Sequence, residues 1–471
     1  MRTRFVALLA VPAVVGALLA PASAGVPAAA VPAASVAQPS SVDLAARTKP
    51  NKKWRVRKSA RFNNPMIESQ RYTIERHILR AVRNSPKGSQ ITISAYSMDR
   101  PAFARELIAA YRRGVQVQVL LNDHLVPSAQ VDVQRVIGAN TKKRNFLKRC
   151  TSGCRADQNE YNNLHSKFYL FSKTGNRRHV VMLGSHNMTQ NAVKWQWNDL
   201  YTIPGDKTLY REFRTLFNDM RPDWDKRRPS YTFCENGRSC ALGDQQKYHT
   251  TVFPRYTTPS RDSILDILNN IQCTYVDPAT GKERRTKLRL SMHTMRGARG
   301  NYLADKLRAL YAAGCNLKVN YGLMGFHTKN HLGAPTARGR VPLRSTGFSL
   351  KEDSETTGLP EAIERYTHHK YFVLRGSYKG NVYANMVWTG STNWASLGTP
   401  QDEILFSLHG RKWTKAYLKN FQLMWQKPYS RDAYTTTYQS WRLVNGRMVG
   451  QNPMTTIEPD GMRPGSTWEN D

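Results

Sequence analysis

Two stretches of the sequence carry the same reactive side chains in the same order. Each has a His-x-Lys pair, an apolar run and a Gly-Ser-x-Asn turn. The side chains are His165, Lys167, Ser185 and Asn187 in the first stretch, and His368, Lys370, Ser391 and Asn393 in the second. Histidine can act as a nucleophile or a general acid near neutral pH, while lysine, asparagine and serine can stabilise phosphate oxygens. The set suits cleavage of a phosphodiester.

The spacing predicts how these side chains meet. Residues i and i+2 of a strand share a face, so each histidine should project beside its lysine. The Gly-Ser-x-Asn turn follows a second apolar strand, where it can bring Ser and Asn alongside that pair. Asp199 and Glu403 follow downstream and are candidates to fix the tautomer of the histidines. Two half-sites that face each other would place one nucleophile and one acid around one phosphate.

The elements around the two stretches also repeat. Strand, helix and strand are predicted at residues 91–98, 102–113 and 115–121, and again at 288–295, 303–313 and 315–321. This order is a βαβ unit, which predicts a partly parallel sheet. An amphipathic helix closes each copy, at residues 208–220 and 411–427. We therefore expect two similar α/β domains.

The ends of the chain and its cysteines predict export. Arg2 and Arg4 precede an apolar run that ends in the small residues Ala22-Ser23-Ala24, a pattern typical of a secretory signal peptide. No later stretch has the length and apolar character of a membrane span. Six cysteines in an exported chain indicate disulfides. Their spacing favours Cys150–Cys154 and Cys234–Cys240, which leaves Cys273–Cys315, and the absence of a Cys-x-x-Cys pair argues against a metal cluster.

These observations divide the chain into six predicted segments. They are a signal peptide (1–24), a flexible leader rich in Ala, Pro, Val and Ser (25–48), a first domain (49–225), a disulfide-bearing linker (226–244), a second domain (245–430) and a C-terminal tail (431–471).

The charge balance points to an anionic partner. The chain has 471 residues, and its 70 Lys and Arg against 34 Asp and Glu give a formal net charge of +36. Such a surface attracts nucleic acid, anionic lipid or cell-wall polymers of the teichoic type, without choosing among them. With 40% hydrophobic and 22% charged residues, the composition excludes a wholly disordered chain.

On the doubled His-x-Lys and Gly-Ser-x-Asn motifs, the sequence resembles the phospholipase D superfamily. The resemblance implies two similar α/β sandwich domains in a pseudo-twofold arrangement, with the active site at their interface. It also implies catalysis without metal or cofactor, in which His165 forms a phosphohistidine and His368 serves as acid and base. The phosphate oxygens would be held by Lys167, Lys370, Asn187 and Asn393, with help from Ser185 and Ser391.

The chain departs from the family pattern at one position of each copy. The family has an aspartate five residues after the lysine, and this sequence has Ser172 and Arg375 there. In the second copy, the His-x-Lys register selects His368 and leaves its neighbour His369 as a packing residue. These departures indicate a divergent subfamily with its own substrate.

Three functions fit the sequence. The first is a secreted phospholipase D that releases a headgroup and leaves phosphatidic acid, acting as a monomer with peripheral contact to anionic surfaces. The second is a secreted nuclease, which the positive charge supports because neutralisation of the backbone dominates nucleic-acid affinity. The third is a non-catalytic polyanion binder, which the two missing aspartates favour and the intact motifs oppose. We place the phospholipid substrate slightly ahead of nucleic acid.

Overall fold

The computed structural model describes residues 49–241, 246–347, 365–434, 441–444 and 447–450. The predicted signal peptide and leader lie outside the described residues. None of the helices in these ranges combines the length and the apolar character needed to cross a membrane.

The first half of the chain alternates strands with helices. Its strands are β1 (Ser59–Phe62), β2 (Gln90–Ser94), β3 (Gln116–Asn122), β4 (Phe146–Cys150), β5 (Phe168–Thr174), β6 (Arg177–Gly184), β7 (Gln196–Trp197) and β8 (Asp199–Ile203). Its helices are α1 (Glu68–Arg71), α2 (Thr73–Arg83), α3 (Pro101–Arg112), α4 (Ser128–Ile137), α5 (Gln190–Lys194) and α6 (Lys207–Met220). One sheet has the strand order β1-β8-β6-β5-β2-β3-β4, in which β2, β3 and β4 are parallel.

The second half has more strands. They are β9 (Tyr231–Cys234), β10 (Gly237–Arg238), β11 (Tyr248–Val252), β12 (Ile271–Gln272), β13 (Thr274–Val276), β14 (Glu283–Arg285), β15 (Lys287–Arg296), β16 (Asn316–Met324), β17 (Leu343–Ser345), β18 (Tyr366–Thr367), β19 (Lys370–Tyr378), β20 (Asn381–Gly390), β21 (Trp394–Ala395), β22 (Ile404–His409), β23 (Arg431–Asp432), β24 (Trp441–Val444) and β25 (Arg447–Gly450). Its α-helices are α7 (Ser263–Asn269), α8 (Gly297–Ala312), α9 (Phe326–Gly333) and α10 (Arg411–Met424), with 3₁₀ turns at Pro259–Arg261 and Ser396–Gly398.

The two main sheets repeat one strand order. The run β8-β6-β5-β2-β3-β4 of the first sheet corresponds to β22-β20-β19-β15-β16-β17 of the second. In both sheets the βαβ unit is parallel and the strands that carry the motifs are antiparallel to it. The predicted α/β class is therefore confirmed.

The predicted helices and strands of the βαβ units are present with shifted ends. The largest shift is in α8, which begins at Gly297, six residues before the predicted start at residue 303. Glycines in this stretch hid the helix from the sequence pattern. One of them, Gly300, lies so close to α9 that a Cβ atom there would be 2.9 Å from the Thr328 hydroxyl. Packing between α8 and α9 therefore explains a residue that is unfavourable for an isolated helix.

The two sheets share a core. Buried side chains from the first sheet and α6 pack in one cluster with side chains from the second sheet and α10; they include Phe168, Tyr201 and Phe213 from the first half and Tyr371, Phe406 and Tyr417 from the second. A second cluster joins the first sheet to α2, α3 and α4, and a third joins the second sheet to α7 and α8. The shared cluster is what holds the two halves together.

The predicted linker contributes structure of its own. Within residues 226–244, β9 and β10 form a hairpin that adds to β11 at one edge of the second sheet. At the other edge, β23, the first element of the predicted tail, pairs with β17. The three expected disulfides, Cys150–Cys154, Cys234–Cys240 and Cys273–Cys315, are present.

Candidate active site

His165 is held by residues from the second half of the chain. It precedes β5, at a point where Leu164 and Asp402 form an isolated parallel bridge between the halves. The backbone N–H of His165 donates to the Asp402 carbonyl at 3.1 Å. The Nδ1 atom of its ring lies 2.6 Å from Oε1 of Glu403, the next residue. The acidic residue predicted in one copy thus pairs with the histidine of the other.

His368 is held in the mirrored way by the first half. It follows β18, which pairs with β7 in parallel. Its backbone N–H donates to the Trp197 carbonyl at 2.9 Å, and its Nδ1 lies 2.8 Å from Oδ1 of Asn198. Both histidines are therefore fixed at backbone and ring by consecutive residues of the opposite half, Asp402 and Glu403 for His165 and Trp197 and Asn198 for His368, and both are almost fully buried.

Asn198 occupies the position for which the sequence suggested Asp199. In a strand, neighbouring residues point to opposite faces, so a shift of one residue changes the partner. Asp199 points into the core, where its Oδ2 accepts hydrogen bonds from the Thr389 hydroxyl at 2.6 Å and the Tyr417 hydroxyl at 2.8 Å. Asp199 thus ties β8 to the second half, and the interpretation of this residue as a histidine partner is corrected.

The orientation of Asn198 fixes the proton on His368. The Nδ2 atom of Asn198 donates to the Ala192 carbonyl at 3.2 Å, which leaves Oδ1 facing the histidine. Because an amide oxygen only accepts, Nδ1 of His368 carries a hydrogen. The other ring nitrogen, Nε2, is then the atom available for proton transfer.

The glycines and serines of the two turns allow the backbone to hydrogen-bond to the segment that carries the histidine partner. A Cβ atom on Gly184 would lie 2.3 Å from the Asp199 carbonyl, and one on Gly390 would lie 2.2 Å from the Ile404 carbonyl. Glycine therefore permits Ser185 and Ser391 to donate their backbone N–H groups to these same carbonyls, each at 3.1 Å.

The serine hydroxyls are occupied within the protein, although the sequence assigned them to the phosphate. The Ser185 hydroxyl lies 2.9 Å from both Asn198 Oδ1 and Asp199 Oδ1. The Ser391 hydroxyl accepts from the Ile404 backbone N–H at 3.0 Å. These contacts position the strands that carry the histidine partners, so the serines act through those residues.

The lysines and asparagines of the motifs are buried. Lys167, Lys370, Asn187 and Asn393 are each at most 3% exposed. The Nζ atom of Lys167 donates to the His165 carbonyl at 2.7 Å and lies 5.4 Å from the ring centre of Tyr96. Buried ammonium groups at this depth form a strongly positive environment for an anion.

The carboxyl group of Glu403 titrates near neutrality. Burial raises its pKa to about 7, while the positive charges of Lys167 and Lys370 and a hydrogen bond from Ser391 act in the opposite direction. The charge of Glu403 beside His165 therefore depends on pH near neutrality.

Asp402 anchors the same strand to a disulfide loop. Its carboxylate accepts backbone N–H groups of Cys154 at 2.5 Å and of Arg155 at 3.0 Å. Burial raises the pKa of Asp402 to about 7 despite these hydrogen bonds. The loop closed by Cys150–Cys154 thus holds Asp402, whose carbonyl in turn holds His165.

A buried ion pair supports the second Gly-Ser-x-Asn turn. Arg299 donates to the Asn393 carbonyl at 2.6 Å and to both carboxylate oxygens of Asp262. Tyr302 donates to the same carboxylate at 2.5 Å. Burial alone would raise the pKa of Asp262, but Arg299 and Tyr302 hold it below its ordinary value.

The sequence analysis did not find Arg299, Asp262, Asp402 or Asn198. Only Asn198 carried a signal, because it stands next to Asp199 on a strand whose alternation exposes one of the two to the site. The other three act through tertiary contacts between segments far apart in the chain.

His369, next to His368, and Ser172, five residues after Lys167, have structural roles. The imidazole of His369 accepts or donates a hydrogen bond with the Thr367 hydroxyl at 2.9 Å, and burial lowers its pKa to about 4. Ser172, at a position where the family has an aspartate, accepts the backbone N–H of Gln90 at 2.8 Å and so joins β5 to β2. No group of three or more His, Cys, Asp or Glu residues in the described ranges is arranged to hold a metal ion.

A family model matches part of the chain. Residues 79–221 match the model described as "Cardiolipin synthase, PLD-like domain". The match runs from α2 to just beyond α6 and contains His165, Lys167 and Asn187. It confirms the resemblance to the phospholipase D superfamily for this part of the chain. No curated protein matches the sequence.

Solved structures show distant similarity. Phosphatidylserine synthase of Haemophilus influenzae is 12% identical, with 79% of this chain and 87% of that one covered and a TM-score of 0.47. Polyphosphate kinase of Porphyromonas gingivalis is also 12% identical, with 79% and 51% covered and a TM-score of 0.48, so the chain spans about half of that kinase. Nuc of Salmonella typhimurium, a phospholipase D family member, is 21% identical, with 36% and 100% covered and a TM-score of 0.27. At these scores the similarities carry no functional conclusion.

Proposed function

We propose that the chain is a metal-independent phosphodiesterase that works through a phosphohistidine intermediate. The observation that carries the proposal is the crossed pairing of His165 with Glu403 and of His368 with Asn198, in which each histidine is held by a residue of the other half. A nucleophile and an acid, each fixed by a partner at Nδ1, are what in-line cleavage of a phosphodiester requires.

The first step transfers the phosphoryl group to His165. Its Nε2 atom attacks phosphorus, the bond to the leaving alcohol oxygen breaks, and His368 gives that oxygen the proton of its Nε2. The His165 ring becomes cationic on attack, and the carboxylate of Glu403 stabilises it through Nδ1–H. Lys167 and Lys370 favour the ionised form of Glu403 and hold the phosphate oxygens with Asn187 and Asn393.

The second step releases the product. His368 accepts a proton from water, whose oxygen attacks phosphorus while the bond to His165 Nε2 breaks. The different partners support this division of roles. The carboxylate stands beside the ring that must bear positive charge in the intermediate, and the neutral amide stands beside the ring that must give up its proton.

Exposed apolar side chains near the site favour a phospholipid substrate. Leu125 and Val126 are 49% and 50% exposed, and they follow His124, whose ring stacks on Tyr96 beside His165. Phe326 is 53% exposed and lies two residues after the end of β16. Apolar side chains at such strand ends suit contact with a lipid surface.

The reaction would then yield phosphatidic acid and a free headgroup. The experiment is to incubate the protein with phospholipid vesicles in EDTA and to measure choline or another free headgroup, with His165→Ala as the matched control. Release by the wild-type protein alone is the expected result. No release from any phospholipid vesicle contradicts a lipid substrate.

A second candidate is a nuclease with the same mechanism, which the net charge of +36 favours. Supercoiled plasmid in EDTA tests it: nicking by the wild type but not by His165→Ala would move the substrate from lipid to nucleic acid. If neither substrate is cleaved while both are bound, the non-catalytic polyanion binder is the better description.

We also propose that the protein is exported and acts as a monomer. Its three disulfides are consistent with an oxidising, extracellular compartment. Both half-sites belong to one chain, so a second copy is not required for catalysis.

A further inference from the structure

A second basic feature lies beside α2, outside the candidate active site. A cavity of about 600 Å³ is lined by the cationic side chains of Lys49, Arg61, Arg76, Arg80 and Arg83. Among the described residues, no Asp or Glu lines it. A concave surface with one sign of charge concentrates the opposite charge from solution.

Most of this charge has no counter-charge among the residues that the structure describes. Arg83 pairs with Glu106 at 2.6 Å, whereas the other four cationic side chains form no ion pair with the described residues. The Nε atom of Arg61 is buried without a hydrogen-bond partner there. Burial, together with Arg61 and Arg80, lowers the pKa of the neighbouring His77 to about 3.

The arginines of α2 form a row that matches a strand of phosphates. Arg76, Arg80 and Arg83 are exposed and lie on one face of the helix. At a rise of about 1.5 Å per residue, the row extends about 10 Å along the axis. The phosphates of one strand rise about 3.4 Å per nucleotide along a duplex axis, so the row is long enough to contact more than one phosphate of a nucleic-acid strand.

One end of the cavity, at the C-terminal end of α2, lies far from Lys167 of the first motif. The C-terminal end of α2 contacts the far end of β5, where the Thr174 hydroxyl donates to the Ala81 carbonyl and Gly175 N–H donates to the Asn84 carbonyl. The seven residues of β5 separate this end from Lys167, a distance of about 23 Å for an extended strand.

We propose that this cavity is a second anion site, which binds consecutive phosphates of a single nucleic-acid strand through the arginine row of α2. The proposal is independent of which phosphodiester the active site cleaves. A bilayer fits this surface less well than a strand does. The cavity is concave, and the exposed large apolar side chains of the described chain, such as Leu125, Val126 and Phe326, lie elsewhere.

The test measures binding of a fluorescent 15-residue oligothymidylate. All variants are made in a His165→Ala background, so that the probe stays intact. Arg76→Gln/Arg80→Gln is compared with Arg105→Gln/Arg112→Gln, which removes the same charge from exposed positions on α3. We expect the first pair to weaken binding at least ten-fold at 0.15 M salt and the second pair less than two-fold. The salt slope should fall by about 1.4, or about 0.7 for each lost phosphate contact.

Three results would overturn the proposal. Equal weakening by both pairs would show that binding depends on the overall charge and not on the cavity. No weakening by the α2 pair would show that the arginine row does not bind the oligonucleotide. Weaker binding to phosphatidic acid vesicles with unchanged oligonucleotide binding would assign the cavity to a lipid headgroup. Turnover of bis(p-nitrophenyl) phosphate is measured separately with His165 intact, so a failure of the catalytic proposal is distinguished from a failure of this one.

Discussion

The Oδ1 atom of Asn198 lies 2.8 Å from Nδ1 of His368, where the other half-site has a carboxylate on its histidine. The two half-sites are therefore alike in geometry and different in charge. A carboxylate favours a protonated or phosphorylated ring, while an amide fixes the tautomer without adding charge. This difference distinguishes the roles of the two histidines and can be tested by exchanging the partners.

Glu403→Gln is expected to lower kcat by roughly 100-fold while KM for bis(p-nitrophenyl) phosphate changes little. In the proposed mechanism the ring of His165 becomes cationic in the intermediate, and glutamine could not neutralise it. Steady-state kinetics in EDTA measure the effect. A variant with wild-type kcat would remove Glu403 from the mechanism.

Asn198→Asp is expected to move the alkaline limb of the kcat–pH profile to higher pH by about one unit or more. A carboxylate beside His368 favours the protonated ring, so His368 remains able to donate its proton at higher pH. The profile is recorded from pH 5 to 10 for the wild type and the variant. An unchanged alkaline limb would show that His368 does not supply the proton.

The contribution of Glu403 to stability should decrease between pH 5 and pH 8. The pKa of Glu403 is raised to about 7 in the folded protein, so the folded state holds this proton more tightly than the unfolded chain does. The associated stability is present at low pH and is lost as the pH rises through 7, by about 3 kcal/mol. Asp402 contributes in the same direction, since its pKa is also raised to about 7.

Urea unfolding at the two pH values measures this loss, and Glu403→Gln should reduce it because glutamine does not titrate. The same variant should be more stable than the wild type at pH 8 and less active. An equal pH dependence in both proteins would contradict a raised pKa at this carboxyl group.

Removal of the Cys150–Cys154 disulfide is expected to lower kcat at least ten-fold. The loop that it closes donates backbone N–H groups to Asp402, and the Asp402 carbonyl positions His165. The matched control is Cys234/Cys240→Ala, which opens a loop of similar length in the β9–β10 hairpin. Each substitution should cost about 2 kcal/mol of stability, but only the first should reduce turnover.

Leu125→Ser/Val126→Ser should reduce headgroup release from vesicles at least ten-fold and leave hydrolysis of bis(p-nitrophenyl) phosphate unchanged. These exposed side chains are proposed to contact lipid, and the soluble diester does not need them. Val276→Ser, at a position 61% exposed on β13, is the control. Equal losses in the two assays would mean that the substitution disturbs the site itself.

The sequence was sufficient to predict the α/β class, the βαβ units and the disulfide pairs, because these depend on local periodicity and on spacing. It did not predict the crossed contacts. Asn198 instead of Asp199 pairs with His368 because of a single step in strand alternation, and Arg299 reaches Asn393 from a helix whose glycines hid its start. Such contacts join residues that are distant in sequence, and no local pattern records them.

Because each histidine is oriented by a residue of the other half, the two copies cannot evolve separately. A change at Asn198 acts on a histidine 170 positions away, and a change at Glu403 acts on one 238 positions away. Either half inherited alone would lack the partner that orients its own histidine. Each copy thus constrains which residues the other copy can carry at these positions.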